Sequence, residues 1–378
     1  MKLSVLYICT DVMLEGSSAS LLNLITATRG KVNPIVLIPD KGSVMDELEK
    51  MGVKTIVHPF YCFGGKRKKL ITAIHHPTRT QLYHYLLDNR RCAEYVKDEL
   101  IGTHIDLVHS NTTLTTVGIN LAKELKVKHV WHVREFLDVD FHITVYRGIP
   151  HLRRLINKAD ARIAISSAIK EHWLMSDNNT WIINDAVRSK NDTVFIPVKD
   201  KYLLFCSYHL TEEKGTRVAI IAFAKSGVWK NGFRLKLVGS CDINYRQSLY
   251  EMSIKYHVDN YVDFVPNQID VKPWFSKATA FLMCSDFEGL GRVTAEAMFY
   301  GCPVIAHATG GTVDLVKNGE TGWLYNSIEE CALLITEVCK GKQEDIIHKA
   351  QDFVVNNLSE EGYSPKILNV YKTILKKK

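Results

Sequence analysis

The feature that most constrains the fold of this chain is an alternation of short apolar runs with helix-like segments, which occurs twice along the sequence. Strands separated by helices cannot pair as hairpins, so the alternation predicts a parallel sheet covered by helices on both faces. In the first half of the chain, apolar runs predict buried strands at residues 3–9, 34–38, 53–57, 106–109, 128–132 and 161–165.

Residues 175–200 interrupt this pattern because they are polar and aperiodic, and we interpret them as a linker or an insertion. A second alternation begins with the predicted strand 202–206 and continues to a helical C-terminal region. The chain of 378 residues is long enough for two domains. The sequence therefore predicts an α/β protein with two doubly wound domains facing a central cleft, in which ligands bind beyond the carboxyl ends of the strands.

The composition narrows the classes of partner. The net charge of +7 is too small to predict nucleic-acid binding, and the absence of an eighteen-residue apolar run predicts no membrane-spanning helix. The nine cysteines are odd in number and lack C-x-x-C spacing, which favours reduced thiols and a cytoplasmic location. One basic run is either a solvated loop or a peripheral contact with the inner face of the cytoplasmic membrane: Lys66, Arg67, Lys68 and Lys69.

The strongest chemical signal lies in residues 284–298. A predicted buried strand ends in a loop that contains Gly289 and Gly291, and a helix is predicted to begin at about Arg292. Glycine lets backbone amides approach a ligand, and a helix N terminus offers unpaired N–H groups with a partial positive charge. This segment therefore predicts a phosphate-binding turn.

Two carboxylates flank this turn, Glu288 in the loop and Glu296 in the helix, with seven residues between them. Carboxylates accept hydrogen bonds from ribose and sugar hydroxyls, so the pair is compatible with a site for a nucleotide-sugar. Acidic residues near a helix N terminus also stabilise the helix dipole, by about 0.3–1 kcal/mol each. The spacing alone favours neither interpretation.

An ordered set of motifs resembles the E-x7-E signature of family 4 of the retaining glycosyltransferases, which have the GT-B fold of two Rossmann-like domains. The resemblance implies an acceptor-binding domain at residues 1–187, a nucleotide-sugar-binding domain at 188–360, and a final helix at 361–378 that crosses back to the N-terminal domain. The motifs are Glu288-Gly289-Leu290-Gly291, Glu296-Ala297-Met298, Gly301–Ala306, Thr309–Thr312 and Asn318–Leu324.

The resemblance also implies roles in donor binding. The second glutamate, Glu296, would hold the donor ribose, the first, Glu288, would touch the transferred sugar, and the amides that follow Gly289 would hold the diphosphate. The complete donor-binding set that we predict is Gly16, His209, Lys214, Gly239, Asn267, Glu288, Gly289, Leu290, Gly291, Arg292, Val293 and Glu296.

The loop at 207–215 follows another predicted strand and resembles the family's G-R-x-x-x-x-K-G loop, in which an arginine and a lysine clamp the diphosphate. Lys214 and Gly215 match that motif, but His209 or Tyr208 fills the arginine position. Neither side chain replaces a permanently charged, bidentate guanidinium. We therefore expect Lys214 to carry most of the leaving-group charge, with a protonated His209 assisting. A solvated lysine at a helix start is the alternative interpretation of Lys214.

The N-terminal domain contributes a second group of candidates. Gly16-Ser17 resembles the family's first glycine-containing loop, although an ordinary strand–helix turn is the alternative interpretation. His132 matches the family's active-site histidine, which faces the transferred sugar. A satisfied core histidine is the alternative interpretation of His132. We predict His132, Glu288 and Lys214 as catalytic residues, and Ser17, Asn111 and Arg134 as acceptor-binding residues.

A D-x-D string at Asp138-Val139-Asp140, followed by His142, matches the metal-binding motif of a different glycosyltransferase fold. Short D-x-D strings are common, and a single metal-dependent domain does not explain a second Rossmann-like half. We therefore predict that the protein binds no metal.

These features predict a metal-independent retaining glycosyltransferase of the hexosyltransferase type, without a cofactor other than its nucleotide-diphosphate-sugar co-substrate. The acceptor would be a hydroxyl of a saccharide or lipid-linked saccharide, in surface polysaccharide or glycolipid biosynthesis. Because the clamp arginine is missing, a non-catalytic nucleotide-sugar-binding module is an alternative hypothesis. A nucleotide-sugar epimerase of the same architecture is a third hypothesis. A dinucleotide oxidoreductase is disfavoured because no strand runs into G-x-G-x-x-G.

Overall fold

A computed structural model of the chain describes residues 2–14, 16–62, 64–66, 79–140 and 142–376. Of the basic run, only the backbone of Lys66 falls within these residues, whereas Arg67, Lys68 and Lys69 lie outside them. The chain divides into two compact units. Unit 1 comprises Met1–Ala186 and Glu360–Lys378, and unit 2 comprises Val187–Ser359.

The strands of unit 1 are β1 (Leu3–Ile8), β2 (Val32–Ile38), β3 (Lys54–Val57), β4 (Gly64–Lys66), β5 (Leu107–Ser110), β6 (Lys128–Val133), β7 (Ile143–Val145), β8 (Ala161–Ala164) and β9 (Thr180–Ile182). The main sheet has the order β3-β2-β1-β5-β6-β8-β9, and its neighbouring strands are parallel. β4 and β7 form a separate antiparallel pair.

The helices of unit 1 are α1 (Gly16–Ala27), α2 (Ser43–Lys50), α3 (Arg79–Glu99), α4 (Val117–Leu125), α5 (Ile149–Asn157), α6 (Ser167–His172) and, at the end of the chain, α14 (Glu360–Lys376). They cover a sheet that is buried on both faces. In β1, Val5 and Tyr7 join one apolar cluster while Leu6 and Ile8 join another. Side chains alternate across a strand, so a strand between two cores must be apolar throughout.

The strands of unit 2 are β10 (Asp200–Leu210), β11 (Arg234–Cys241), β12 (Val262–Val265), β13 (Ala278–Met283), β14 (Val304–His307) and β15 (Trp323–Tyr325). They form a parallel sheet with the order β12-β11-β10-β13-β14-β15. β10 and β13 are adjacent in the middle of this sheet. Each leads into one of the two loops for which the sequence predicts donor binding, so both loops start at the same edge of the sheet.

The helices of unit 2 are α7 (Thr216–Ser226), α8 (Ile243–Lys255), α9 (Lys272–Lys277), α10 (Arg292–Phe299), α11 (Thr312–Leu315), α12 (Ile328–Val338) and α13 (Glu344–Leu358). Leu203 and Phe205 of β10 pack in one apolar cluster with Ala219 and Phe223 of α7. The prediction of two Rossmann-like domains with parallel sheets is confirmed.

The interpretation of residues 175–200 as a linker is wrong in part. Residues Thr180–Ile182 form the edge strand β9, which pairs with β8, and both Ile183 and Asp185 are buried. A three-residue strand between polar segments is too short to show periodicity, so the sequence pattern missed it. No helix in the described part of the chain combines the length and the apolar character needed to cross a membrane.

Candidate donor-binding site

The turn that carries Lys214 packs directly against the end of β13. Gly215 has a φ of +74°, and a Cβ atom at this position would lie 2.0 Å from the carbonyl oxygen of Cys284. Only glycine fits there, because both the backbone conformation and the space exclude a side chain. The close approach brings Lys214 to the neighbouring loop, where its Nζ donates to Glu288 Oε1 at 2.7 Å.

The predicted phosphate-binding turn precedes α10, which begins at Arg292 as expected. Gly291 occupies the N-cap position with a φ of +83°, so the N-cap residue has no side chain to cap the helix. The loop that precedes α11 packs against this turn, because Gly311 N donates to Glu288 O at 2.7 Å. A Cβ at Gly311 would lie 2.2 Å from the carbonyl oxygen of Gly289, so the two loops can touch only without a side chain there.

Two buried hydroxyls beside the turn lack hydrogen-bond partners in the described part of the chain. They belong to Thr294 and Thr312, and both Oγ1 atoms lie 3.4 Å from the place where a Cβ of Gly291 would be. Unpaired buried hydroxyls are costly and therefore rare in folded proteins. Together with the uncapped helix end, they fit a site that is completed by an anionic ligand.

Each of the two signature carboxylates is paired with a cation, although the sequence indicated neither pair. Glu288 pairs with Lys214, and Glu296 Oε1 accepts a hydrogen bond from Arg188 Nη2 at 2.8 Å. The carboxylate side chains are 18% and 16% exposed, so both remain accessible to a ligand. Arg188 is a site residue that sequence reasoning missed, since it lies 108 residues from its partner.

The remaining donor-binding residues that were predicted in unit 2 lie along the same sheet edge. His209 is exposed, and its Nδ1 lies 2.5 Å from Ser240 Oγ at the end of β11. Gly239 has a φ of +153°, and a Cβ there would lie 2.1 Å from Ser207 O. Asn267 is exposed in the loop after β12. Strands β10, β11 and β12 are adjacent and parallel, so their following loops form one continuous rim.

In unit 1, the structure brings three predicted residues into a buried polar cluster. The Nε and Nη2 atoms of Arg134 donate to the carbonyl oxygen and Oδ1 of Asn111 at 2.8 and 3.0 Å, and Nη1 donates to Asp185. Nη2 of Arg134 also lies 3.1 Å from His132 Nδ1. Arg134 thus binds both Asn111 and Asp185, and the sequence did not indicate Asp185 as a partner.

His132 is fully buried at the end of β6. Burial, together with the positive charge of Arg134, holds its pKa well below the usual value, so the imidazole is neutral. Because a guanidinium can only donate, the contact with Arg134 makes Nδ1 the acceptor and places the proton on Nε2.

The predicted glycine loop of unit 1 forms the start of α1, with Gly16 as its first residue. Ser17 Oγ and Ser18 N donate to Asp11 Oδ2 at 2.5 and 2.8 Å, and Ser17 O accepts from Asn111 Nδ2 at 2.8 Å. Asp11 lies in the loop between β1 and α1, and its carboxylate holds the first turn of this helix through these two hydrogen bonds.

Glu135 is a further buried carboxyl at the end of β6. Burial raises its pKa to about 7, although both the amide and the hydroxyl of Thr113 donate to Oε2 at 3.0 and 2.8 Å. Glu135 follows His132 by three residues in the sequence, and the structure holds its carboxyl in a buried position against Thr113.

Both carboxylates of the D-x-D string have protein partners. Asp138 Oδ1 lies 3.0 Å from His172 Nε2, and Asp140 Oδ2 accepts from Phe136 N at 3.0 Å. The backbone N–H contact fixes Asp140 locally, as in a tight turn.

Comparisons with known proteins agree with this fold. Residues 188–353 match the family model described as Glycosyl transferases group 1. The chain is 23% identical to N-acetyl-alpha-D-glucosaminyl L-malate synthase of Bacillus anthracis over 293 residues, 77% of this chain and 72% of that protein. It is 24% identical to the capsular polysaccharide biosynthesis glycosyltransferase CapM of Staphylococcus aureus over 47% of this chain and 48% of CapM.

Among solved structures, Anabaena Alr3699/HepE in complex with UDP matches with a TM-score of 0.80 at 19% identity, over 99% of this chain and 100% of that chain. The family model identifies residues 188–353 as a glycosyltransferase group 1 domain, and the likeness to solved structures shows that the chain has the GT-B fold. Three of the curated relatives are matched over 72%, 45% and 58% of their own lengths.

Proposed function

We propose that the protein is a family 4 glycosyltransferase that moves a sugar from a nucleotide-diphosphate-sugar to a hydroxyl acceptor with retention of the anomeric configuration. One observation carries the proposal. The uncapped N terminus of α10, lined by glycine, lies between Glu288 and Glu296 and beside Lys214 from the adjacent loop. HepE, which shares the fold, was solved with UDP and with UDP-glucose, which supports a nucleoside diphosphate as the ligand here.

In this proposal the diphosphate binds to the amides of residues 290–293 and to Lys214. The bond between the anomeric carbon and the diphosphate oxygen breaks, the acceptor oxygen bonds to the same face of that carbon, and the acceptor proton passes to the released phosphate. Negative charge grows on the leaving group, so preorganised amides and a fixed cation stabilise the transition state. They provide the charge that a divalent metal provides in other sites.

In the proposed mechanism, donor binding separates the Lys214–Glu288 pair, so that each of the two residues contacts a different part of the donor. A bound diphosphate is the stronger partner for the lysine because it carries more than one negative charge. Lys214 would then leave Glu288 Oε1, where it lies at 2.7 Å without a ligand, and Glu288 would be free to accept a hydrogen bond from the transferred sugar. His209 lies on the rim of the same sheet edge, where its side chain would hydrogen-bond to the donor.

We assign acceptor binding to unit 1, at the sheet edge where β1, β5 and β6 end. Ser17 remains a candidate there. Asn111 and Arg134 support the site from within, because their polar atoms are engaged in the buried cluster. The acceptor is a saccharide or a lipid-linked saccharide, in surface polysaccharide or glycolipid biosynthesis; the similarity to CapM supports this class.

A panel of nucleotide-sugars and nucleoside diphosphates tests the proposed function. A ligand at one hundred times its Kd stabilises the protein by about 2.7 kcal/mol, which a thermal unfolding assay detects. We expect one nucleotide base to raise the Tm, and its sugar donor to be hydrolysed slowly in the absence of an acceptor. Binding without hydrolysis or transfer would instead favour a non-catalytic module, and conversion between two donor sugars would favour an epimerase.

We also propose that the protein is cytoplasmic and contacts the membrane through Lys66, Arg67, Lys68 and Lys69. Each basic residue near an anionic surface contributes about 1 kcal/mol of binding. We expect the wild-type protein to sediment with vesicles that contain phosphatidylserine, and the variant with all four residues changed to glutamine to stay in the supernatant. Equal sedimentation of both proteins would contradict this proposal.

A further inference from the structure

Arg188 holds one of the two signature carboxylates in unit 2. Its Nη2 donates to Glu296 Oε1 at 2.8 Å, and the arginine side chain is 36% exposed while the glutamate side chain is 16% exposed. A charge-assisted hydrogen bond of this kind is about twice as strong as a neutral one. The contact therefore fixes the position of the carboxylate on α10.

The backbone of Arg188 is itself well anchored. Val187 N donates to Leu358 O at 2.8 Å, and Arg188 forms a β-bridge with Ser359, so the end of α13 fixes the segment. The guanidinium carbon lies 5.9 Å from the ring centroid of Tyr300, the residue that follows the end of α10. A cation over an aromatic ring gains further stabilisation and loses freedom. These backbone and ring contacts thus hold the Arg188 side chain in place beside Glu296.

Arg188 occupies one acceptor position of Glu296 Oε1 and fixes how the carboxylate is turned. A carboxylate has about four acceptor positions, so the others can accept from ligand hydroxyls. In the proposed function Glu296 receives the ribose of the donor, whose adjacent hydroxyls are hydrogen-bond donors. A carboxylate that is held in one orientation accepts such bonds with less loss of side-chain entropy than a free one.

We propose that Arg188 is a specificity-determining residue of the donor site: by holding Glu296 in a fixed orientation, it sets the preference for a ribonucleotide over a deoxyribonucleotide. This inference rests on the proposed function, because it takes the ligand of Glu296 to be a ribose. Arg188 acts through Glu296 and is a positioning residue.

The test compares the affinity for UDP and for 2′-deoxy-UDP by titration calorimetry in the wild type, Arg188→Met, Arg188→Lys and Glu296→Gln. We expect Arg188→Met to weaken UDP binding about tenfold, the loss of roughly one charge-assisted hydrogen bond, and to weaken 2′-deoxy-UDP binding much less. Arg188→Lys should recover part of the loss, since it keeps the charge at this position.

Two further variants exclude a merely structural effect. Arg234→Met breaks another arginine–carboxylate pair of unit 2, with Asp263 at 2.5 Å and a similar exposure of 42%, and should leave both affinities unchanged. In a Glu296→Gln background, Arg188→Met should have little further effect, because the positioned group has already been altered.

An undiminished effect of Arg188→Met in the Glu296→Gln background would overturn the inference, since Arg188 would then act without Glu296. Equal losses for UDP and 2′-deoxy-UDP, or no loss at all, would overturn it as well. If instead the wild-type protein bound neither UDP nor any other nucleoside diphosphate of the panel, the proposed function itself would fail. The two failures are therefore distinguishable.

Discussion

Replacing Lys214 with alanine is expected to lower the rate of sugar transfer about 10²–10³-fold at saturating donor, the usual cost of removing one preorganised group from a developing negative charge. Lys214 is the cation that the structure places against the signature loop, 2.7 Å from Glu288. The measurement is the kcat of transfer, or of donor hydrolysis when the acceptor is unknown. The effect should appear mainly in kcat, because the leaving-group charge is greatest in the transition state.

Lys225→Ala is the matched control for this variant. Lys225 forms a comparable pair with Glu329 at 2.8 Å on the surface of the same unit, with a similar exposure of 43%. Exposed pairs contribute little to stability, so this change should leave kcat and folding unaltered. If kcat of Lys214→Ala equalled that of the wild type at saturating donor, Lys214 would not stabilise the leaving group.

Replacing Gly311 with alanine is expected to weaken donor binding at least about tenfold and to lower the rate about 10²-fold, because small misplacements of a binding turn have effects of this size. The new Cβ would lie 2.2 Å from Gly289 O and 2.8 Å from Leu290 Cα. Both contacts are with backbone, so the turn itself must move. The φ of −73° at Gly311 suits alanine, which isolates the steric effect from backbone strain.

Gly341→Ala serves as the control for this change. A Cβ at Gly341 would meet only the side-chain Nε2 of Gln343 at 3.4 Å, so no backbone has to move. Donor affinity by calorimetry and the Tm should both match the wild type, whereas overpacking at Gly311 also destabilises unit 2 by about 1–3 kcal/mol. Wild-type affinity in Gly311→Ala would show that the turn does not hold the ligand.

The sequence was sufficient to predict the features that depend on local order. The alternation of apolar runs predicts both parallel sheets, because a doubly covered strand such as β1 must be apolar on both faces. The start of α10 at Arg292 follows from the glycines that precede it. Gly215 could be placed in the Lys214 turn from its motif alone, and its contact with Cys284 gives the physical reason for the glycine.

Partners that are distant in the sequence could not be predicted in this way. Arg188 lies 108 residues from Glu296, and Asp185 lies 51 residues from Arg134. Both Arg188 and Asp185 lie in or beside a polar stretch without periodicity, so no pattern connects them to a site. Their roles depend on how the ends of β6 and α13 meet this stretch, which is a property of the tertiary fold.

The buried cluster in unit 1 shows a second limit of sequence reasoning. Arg134 follows a strand as a ligand-binding arginine would, yet its side chain is 4% exposed and bound to Asp185. A charged side chain can be buried only when it is paired with an opposite charge. The partner of Arg134 is remote in the sequence, so the sequence does not show that Arg134 is buried. Glu135, the neighbouring residue, is likewise buried, so its pKa of about 7 follows from the fold and not from the motif.

Titration of the wild-type protein with UDP and UMP, each with and without EDTA, tests the central claim most directly, since that claim is metal-free binding of a diphosphate by the turn before α10 and Lys214. We predict that UDP binds about tenfold or more tightly than UMP, because the second phosphate adds charge-assisted hydrogen bonds, and that EDTA changes neither affinity. Equal affinities for UDP and UMP, or loss of UDP binding in EDTA, would contradict the claim.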